Sequence, residues 1–542
     1  MKKTNLTMFF LILLGLFSIS GLVTSPSIHQ IENSLLNLKT SGLDYGNATV
    51  ISDGYGGVWG WNTAASYFPE LAMDNAGNIH VVWQDDTDYS GKWGNDREIM
   101  YVKYTTGSGW GNATVISDGY GGIWGWNDGS SMKPDIAVDK SNNVHVVWDD
   151  TTSYSAKWGT DKEIMYVKYT DGVGWSNVTI LSDGYGGVWG WNDLSSDDAR
   201  IVVDNSNNLH VVWTDQTDYV GKWGIDDEIM YVKYTDGVGW SNVTVISDGY
   251  GGVWGWNDGV SQEVTIAVDL LYNVHVAWRD LTAYPSKWGT DWEIMYVKYT
   301  TGSGWGNATV ISDGYGGVWG WNDGSCNLPA ISADKSGNVH VIWEDSTDYV
   351  GKWGIDDEIM YVKYTVGVGW SNVTILSDGY GGVWGWNDDD SGYSDICTSG
   401  ANNVHVVWEE YSDGIWGGDT ELAYVNYTEG KGWTNVSMIS DGYGGVWGWN
   451  DGSSGDGDIF FDDAGKIHAV WTDSTSYPGK WGTDQEIMYT VLNVGLPPED
   501  NGDKDNGDEP PGPMIPFGSY YLLFLAIGII YIIIAKKRKI IN

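Results

Sequence analysis

ISDGYGGVWGWN, Ile51 to Asn62, sets two Trp, a Tyr and four Gly in twelve residues, and it recurs along the whole chain. Its Ser falls at Ser52, Ser117, Ser182, Ser247, Ser312, Ser377 and Ser440, at intervals of 65 residues and finally 63. A fixed period of this size marks a repeat architecture before any local reading does. Between copies run the same segments, in the second repeat PDIAVDKSNNVHVVWDD, SAKWGTDKEIMYVKYT and DGVGWSNVTILSD. The stretches DIAVD, VHVVW, EIMYVKYT and WSNVTIL are rich in Val, Ile, Tyr, Trp and Thr and are separated by Gly, Asn, Asp and Ser, which reads as strands and turns. No helical periodicity intervenes.

Four strands per unit and seven units predict an all-β fold, a seven-bladed β-propeller spanning residues 45–495. A β-solenoid is the competing architecture, but no copy has the character of a capping repeat. The chain enters on a lone fourth strand, YGNATVIS (Tyr45 to Ser52), and leaves the repeats after a third strand, EIMYTVL (Glu486 to Leu492). The N-terminal strand is therefore expected to complete the last blade and close the ring, leaving few open edges.

The flanks suggest where such a ring sits. Residues 1–24 carry Lys2 and Lys3, an apolar run and a small-residue site at Ser18 to Ser20, the pattern of a signal peptide. An N-terminal extension, 25–44, follows. After the repeats comes an acidic linker rich in Pro and Gly, 496–515, then an apolar stretch, 516–535, of transmembrane-helix length, and a basic tail, 536–542, expected on the cytoplasmic side. The expected location is the cell surface, as a single-pass membrane protein with the propeller outside. Glycosylation sequons agree with export: Asn47, Asn112, Asn177, Asn242, Asn307, Asn372 and Asn435 hold one place in every fourth strand. An eighth sequon, at Asn426, falls in a third strand. Only two Cys occur, Cys326 and Cys397, so disulfides are not the framework.

Lys and Arg number 28 against 72 Asp and Glu, a net charge of −44. Nucleic acid is excluded as a partner, because the basic groove that its phosphates require is missing.

The order PDIAVD, NVHVVW, EIMYVKYT, GVGW resembles the blades of sialidase-like propellers with BNR or Asp-box repeats. That family's turn between third and fourth strands, Ser/Thr-x-Asp-x-Gly-x-Thr-Trp, is matched in part by YTDGVGWS, with Asp171 and Trp175 one residue closer together. The resemblance implies an Arg triad for a substrate carboxylate and a Tyr nucleophile supported by carboxylates. Before the apolar stretch the chain has three Arg only, Arg97, Arg200 and Arg279, on unlike strands, and no Arg-Ile-Pro motif. A catalytic centre also needs different residues on different blades, and these blades are near-copies. The expectation is that the protein is not an enzyme, with a sialidase-like glycan hydrolase as an alternative.

In a four-stranded meander the links between second and third strands and between successive blades emerge on one face. Here those are the two long loops, so that face should gather the aromatic residues. The candidate ligand-binding residues are Trp59, Trp61, Tyr89, Trp93, Trp158, Trp223, Trp288, Trp353, Trp416 and Trp481. Aromatic platforms beside carboxylate acceptors suit sugar rings, and repetition would make the surface multivalent. So much aromatic area also suits packing of loop on loop; both can hold together, with Trp61 and its equivalents buried and Trp93 and its equivalents partly open. Asp53, Asp85 and Asp96 on the same loops could supply hard oxygen ligands to calcium, with no other cofactor expected. The strand His, such as His80, are read as satisfied core residues. The function expected from sequence is binding or adhesion, to glycans or to a cell-surface protein, with an architectural envelope role as the other reading.

Overall fold

The computed structural model describes residues 44–494, apart from 89–91, 155–156, 219–222, 349–352, 380–384, 386, 388, 401, 412–417 and 479. The expected signal peptide, the extension up to residue 43, the linker, the membrane span and the tail lie outside the described residues. Among the described residues no helix is long and apolar enough to cross a membrane.

Seven antiparallel sheets form seven blades, with no helix among the described residues. In the first blade Ser66–Met73 is innermost, followed outward by Ile79–Asp85 and Glu98–Thr105. The fourth strand is split into Gly109–Trp110 and Thr114–Val115, each paired with Glu98–Thr105. The break carries the sequon Asn112, which is exposed. In the last blade the outer place is taken by Asp44–Tyr45 and Thr49–Val50, which pair antiparallel with Glu486–Asn493. The innermost strand of that blade, Ser454–Phe461, packs against Ser66–Met73 of the first.

The second strands read as continuous apolar runs because both their faces are covered; Ile79–Asp85 and Val144–Asp150 are buried at every position. What covers them is the neighbouring blade. One core joins Ala72, Val82 and Ile99 of the first blade to Ile136, Val146 and Trp148 of the second. Six similar cores complete the circle, one of them joining Val470 and Ile487 to Leu71, Val81 and Trp83.

Polar residues of the repeat form a second, buried framework. The Asp85 carboxylate accepts hydrogen bonds from Trp83 Nε1 (3.1 Å), Ser66 Oγ (3.0 Å) and the Thr87 amide (2.9 Å). Asn62 Nδ2 donates to Ser66 Oγ (2.9 Å), and the Thr87 hydroxyl donates to Asn62 Oδ1. At the fifth blade Cys326 takes the place of this Ser, its Sγ 2.9 Å from Asn322 Nδ2; both Cys are free. The Ser that opens each repeat links blades: Ser52 Oγ receives the Ile487 amide (2.9 Å) and donates to the Glu486 carboxyl. The strand His are tied down as well, His80 by the Tyr101 hydroxyl (2.7 Å) and Asp74 (3.3 Å), and burial pushes it down to about 4.

Burial pushes Glu163, Glu421 and Glu486 up to about 9 and Glu358 to about 10, each opposed only by its Ser hydroxyl. These carboxyls keep their protons in the folded state at neutral pH and lose them in the unfolded chain. Their stabilisation is complete below the ordinary Glu pKa near 4.5 and is lost as pH rises toward 9. The buried neutral His act oppositely below their ordinary 6.5. The expected outcome is a melting temperature that rises as pH falls from 9 to about 6; an invariant melting curve over that range would contradict it. Deleting residues 1–52 removes two strand segments, Ile51 from its core and the Ser52 partner of Glu486, so the melting temperature should fall by several degrees or more. Differential scanning calorimetry checks both.

Candidate functional site

The innermost strands all carry a bulge at one position, and the residue there is left-handed: Phe68 (φ 49°), Lys133 (48°), Asp198 (56°), Glu263 (52°), Leu328 (45°), Tyr393 (44°) and Asp456 (50°). This conformation costs roughly 1–2 kcal/mol for a residue with a side chain, and glycine would adopt it freely. None of the seven is glycine. All seven remain at least partly exposed, in a ring around the channel axis on the long-loop face.

The blades are near-copies, and at the axial end of the innermost strands they diverge. The residue before the bulge is Tyr67, Met132, Asp197, Gln262, Asn327, Gly392 or Gly455. Facing it on the second strand stands Gln84, Asp149, Thr214, Arg279, Glu344, Glu409 or Thr472, and ahead of the third strand Arg97, Lys162, Asp227, Trp292, Asp357, Thr420 or Gln485. The variable positions of seven repeats thus meet around one axial mouth, which is asymmetric although its scaffold is not.

Between the first and second blades the mouth deepens into a cleft of about 250 Å³ lined by Tyr67, Phe68, Gln84, Arg97, Met132, Lys133, Asp149 and Lys162. The rings of Tyr67 and Phe68 lie 6.3 Å apart at 40°. Arg97 is paired with Asp86 (3.0 Å), Lys133 with Asp198 and Lys162 with Asp197, each cation keeping about a third to a half of its side chain exposed. Asp149 is buried at the wall; its Oδ2 accepts the amide of Asp198 (3.1 Å), while Oδ1 has no hydrogen-bond partner. Burial, then repulsion from Asp198 and Asp197, pushes this carboxyl up to about 8.

Deeper in the bore the next ring is Glu70, Asp135, Arg200, Thr265, Ala330, Asp395 and Asp458. Arg200 reaches Glu70 Oε1 (3.2 Å). Asp135, Asp395 and Asp458 accept amides from the following blade, at Ile201 (2.6 Å), Ile459 (3.1 Å) and Leu71 (2.6 Å). Burial, opposed by Arg200, holds Glu70 up to about 8. Arg279 pairs with Glu263 (3.2 Å) and lies over Trp292. The three Arg are therefore held by three different carboxylates.

The loop residues expected to bind ligand divide differently from the sequence-based reading. Trp93, Trp158, Trp223, Trp288, Trp353 and Trp481 are buried. Trp93 packs edge-on against Tyr55 and Trp61, with centroids at 5.2 and 6.2 Å, and its Nε1 donates to Thr87 O (3.0 Å). They are core rather than platforms, because the two long loops of a blade fold onto each other. Trp61 is half-buried, donating to Ser52 O (3.2 Å). The open residue is Trp59, 72 % exposed. Tyr89 and Trp416 lie outside the described residues.

Asp53, Asp85 and Asp96 are not brought together as one ligand set. Asp85 is occupied by Ser66, Trp83 and Thr87, and Asp53 accepts the amides of Gly60 and Asn62 beside Glu486. Asp96 belongs to the next junction, beside Glu98. Among the described residues no group of three or more His, Cys, Asp or Glu is disposed to hold a metal ion.

No protein-family model matches the chain, and no curated protein does. Solved structures with the same architecture include the polysaccharide lyase Uly1, 14 % identical over 85 % of this chain and 95 % of that one, at a TM-score of 0.46. Another is an ulvan lyase described as a new family of polysaccharide lyase, 12 % identical over 82 % and 96 %, at 0.49. The intramolecular trans-sialidase of Ruminococcus gnavus is 11 % identical over 82 % and 97 %, at 0.38. At these identities the likeness is one of fold. The chains sharing its architecture include polysaccharide lyases and sialidases, which runs against the expectation that the protein is not an enzyme. The premise of that expectation fails too, because near-identical blades do build an asymmetric centre at the axis.

Replacing Trp93 by Ala should cost about 3–5 kcal/mol, as for a buried Trp, and Trp59→Ala less than about 0.5 kcal/mol. Urea denaturation of the two variants measures the contrast; equal costs would refute it.

Proposed function

We propose that the protein is glycan-active and that its axial cleft takes an acidic sugar residue of a polysaccharide. The observation that supports this is the ring of strained, non-glycine residues, whose side chains differ from blade to blade where they converge. Strain of this kind is kept where a side chain must be presented. Tyr67 and Phe68 offer apolar faces to a sugar ring. Arg97, Lys133 and Lys162 offer charge-assisted hydrogen bonds to a carboxylate or sulfate, on a chain that is otherwise strongly acidic. Asp149, protonated at neutral pH with one oxygen unengaged, is placed to give a proton to a departing glycosidic oxygen.

A second reading, retention of the glycan without cleavage, is favoured by the ion pairs that each cleft cation already makes. In either case the leader, the acidic linker and the apolar stretch 516–535 support display at the cell surface, membrane-anchored.

The test uses polygalacturonate and heparin as acidic polysaccharides and dextran as the neutral control. Binding to the acidic chains alone is expected, with new reducing ends released under the cleavage reading; binding to all three alike, or to none, would sink the proposal. Lys133→Gly should raise stability by about 1 kcal/mol, because glycine takes the left-handed conformation freely, while weakening binding at least several-fold. A variant that loses stability and keeps full binding would show that Lys133 serves the fold instead.

A further inference from the structure

The exposed Trp lie away from the axial cleft. Trp59, Trp124, Trp189, Trp254, Trp319 and Trp447 are 47 to 72 % exposed, each in a tight loop that opens the link between blades. A ring of open indoles on so acidic a surface calls for something to cover it.

Each loop rests on the fourth strand of the blade it leads into, at its sequon. The amide of Ala113, next to Asn112, donates to Gly54 O (3.2 Å), and a Cβ on Gly54 would stand 3.8 Å from the Trp59 ring, so the ring lies where this glycine has no side chain. The same amide bond recurs from Val178 to Gly119, Val243 to Gly184, Ala308 to Gly249, Val373 to Gly314 and Ala48 to Gly442. At the tip of the loop Gly57 (φ 82°) has no side chain, and a Cβ there would stand 3.5 Å from Asn112 Nδ2. Gly187, Gly252, Gly317 and Gly445 stand in the same relation, at 3.5 to 3.7 Å, to the amide nitrogens of Asn242, Asn307, Asn372 and Asn47. The sequon Asn are exposed. Asparagine amide, open space and indole thus lie together at one junction after another.

We propose that each of these Asn carries an N-linked glycan and that the exposed Trp of the loop resting on its strand is the platform on which its first sugars stack. In the modification the amide nitrogen bonds the anomeric carbon of an oligosaccharide delivered as a lipid-linked diphosphate by a separate transferase. The bond from that carbon to the phosphate oxygen breaks, the diphosphate leaves with the electron pair, and the amide loses one proton. The apolar face of the sugar then covers the indole, as carbohydrate on aromatic surface does. The glycine tip leaves the room that a substituted amide needs. Asn426 also begins a sequon, but its half-buried side chain accepts from Thr434 Oγ1 (3.3 Å) within a third strand, with no such loop beside it; it is expected to stay bare.

The full chain isolated from its own cells provides the test. Glycopeptide mass spectrometry should find sugar on Asn47, Asn112, Asn177, Asn242, Asn307 and Asn372 and none on Asn426. Hydroxyl-radical footprinting should then show Trp59 oxidised several-fold more in Asn112→Gln than in the unaltered protein, with Trp124 and Trp189 unchanged. Thr114→Ala, which keeps the Asn but destroys the sequon, should give the same result at an unchanged melting temperature. Bare Asn at the six positions, or glycosylated Asn with equal oxidation of Trp59 in all three proteins, would overturn the proposal.

Discussion

No blade of this propeller has a core of its own. Trp83, Met100 and Val81 are fully buried only because the preceding blade lies against them, and the same holds for each of the seven equivalent clusters. A four-stranded sheet is too thin to enclose side chains of that size, so stability is a property of the circle of interfaces and not of the single repeat. The pairing of Asp44–Tyr45 and Thr49–Val50 with Glu486–Asn493 matters for that reason: it brings the two ends of the repeat region into one sheet.

The polar residues of the repeat follow from the same constraint. A closed ring needs every blade at one tilt and spacing, and directional hydrogen bonds set both more sharply than apolar contact does. The Ser, Asn, Asp and Thr around Asp85 fasten the two long loops of one blade to its strands. The Ser52 and Glu486 contact fastens one blade to the next. Protonated Glu at these junctions lets an acidic chain bury seven carboxyl groups without seven buried charges.

With the scaffold held by invariant residues, the axial ring is free to vary. Its positions lie at the axial end of each blade's innermost strand, and the bulge turns their side chains into the mouth. That arrangement separates fold from site: the repeat specifies the ring, and the exceptions to the repeat specify the chemistry. Arg97, Lys133, Lys162 and Asp149 are exceptions of this kind, and the alignment of the seven copies already shows them as departures from their neighbours.

The sequence by itself determined the all-β class, the seven blades, the strand order within each blade and the gathering of the long loops on one face, because period and strand pattern are local properties that survive without coordinates. It also marked the strand His as core, since His80 and its equivalents sit in the continuous apolar run of a strand buried on both faces. Which aromatic residues are open was decided only in three dimensions. Trp59 and Trp61 stand two residues apart in one loop, yet one faces water and the other packs on Trp93, because the second long loop of the blade folds over one side of the first. The axial site was hidden for a similar reason. Phe68 and Lys133 read as ordinary strand residues until the bulge gives them a left-handed backbone, and residues 65 apart become neighbours only when the ring brings successive blades together around a single axis.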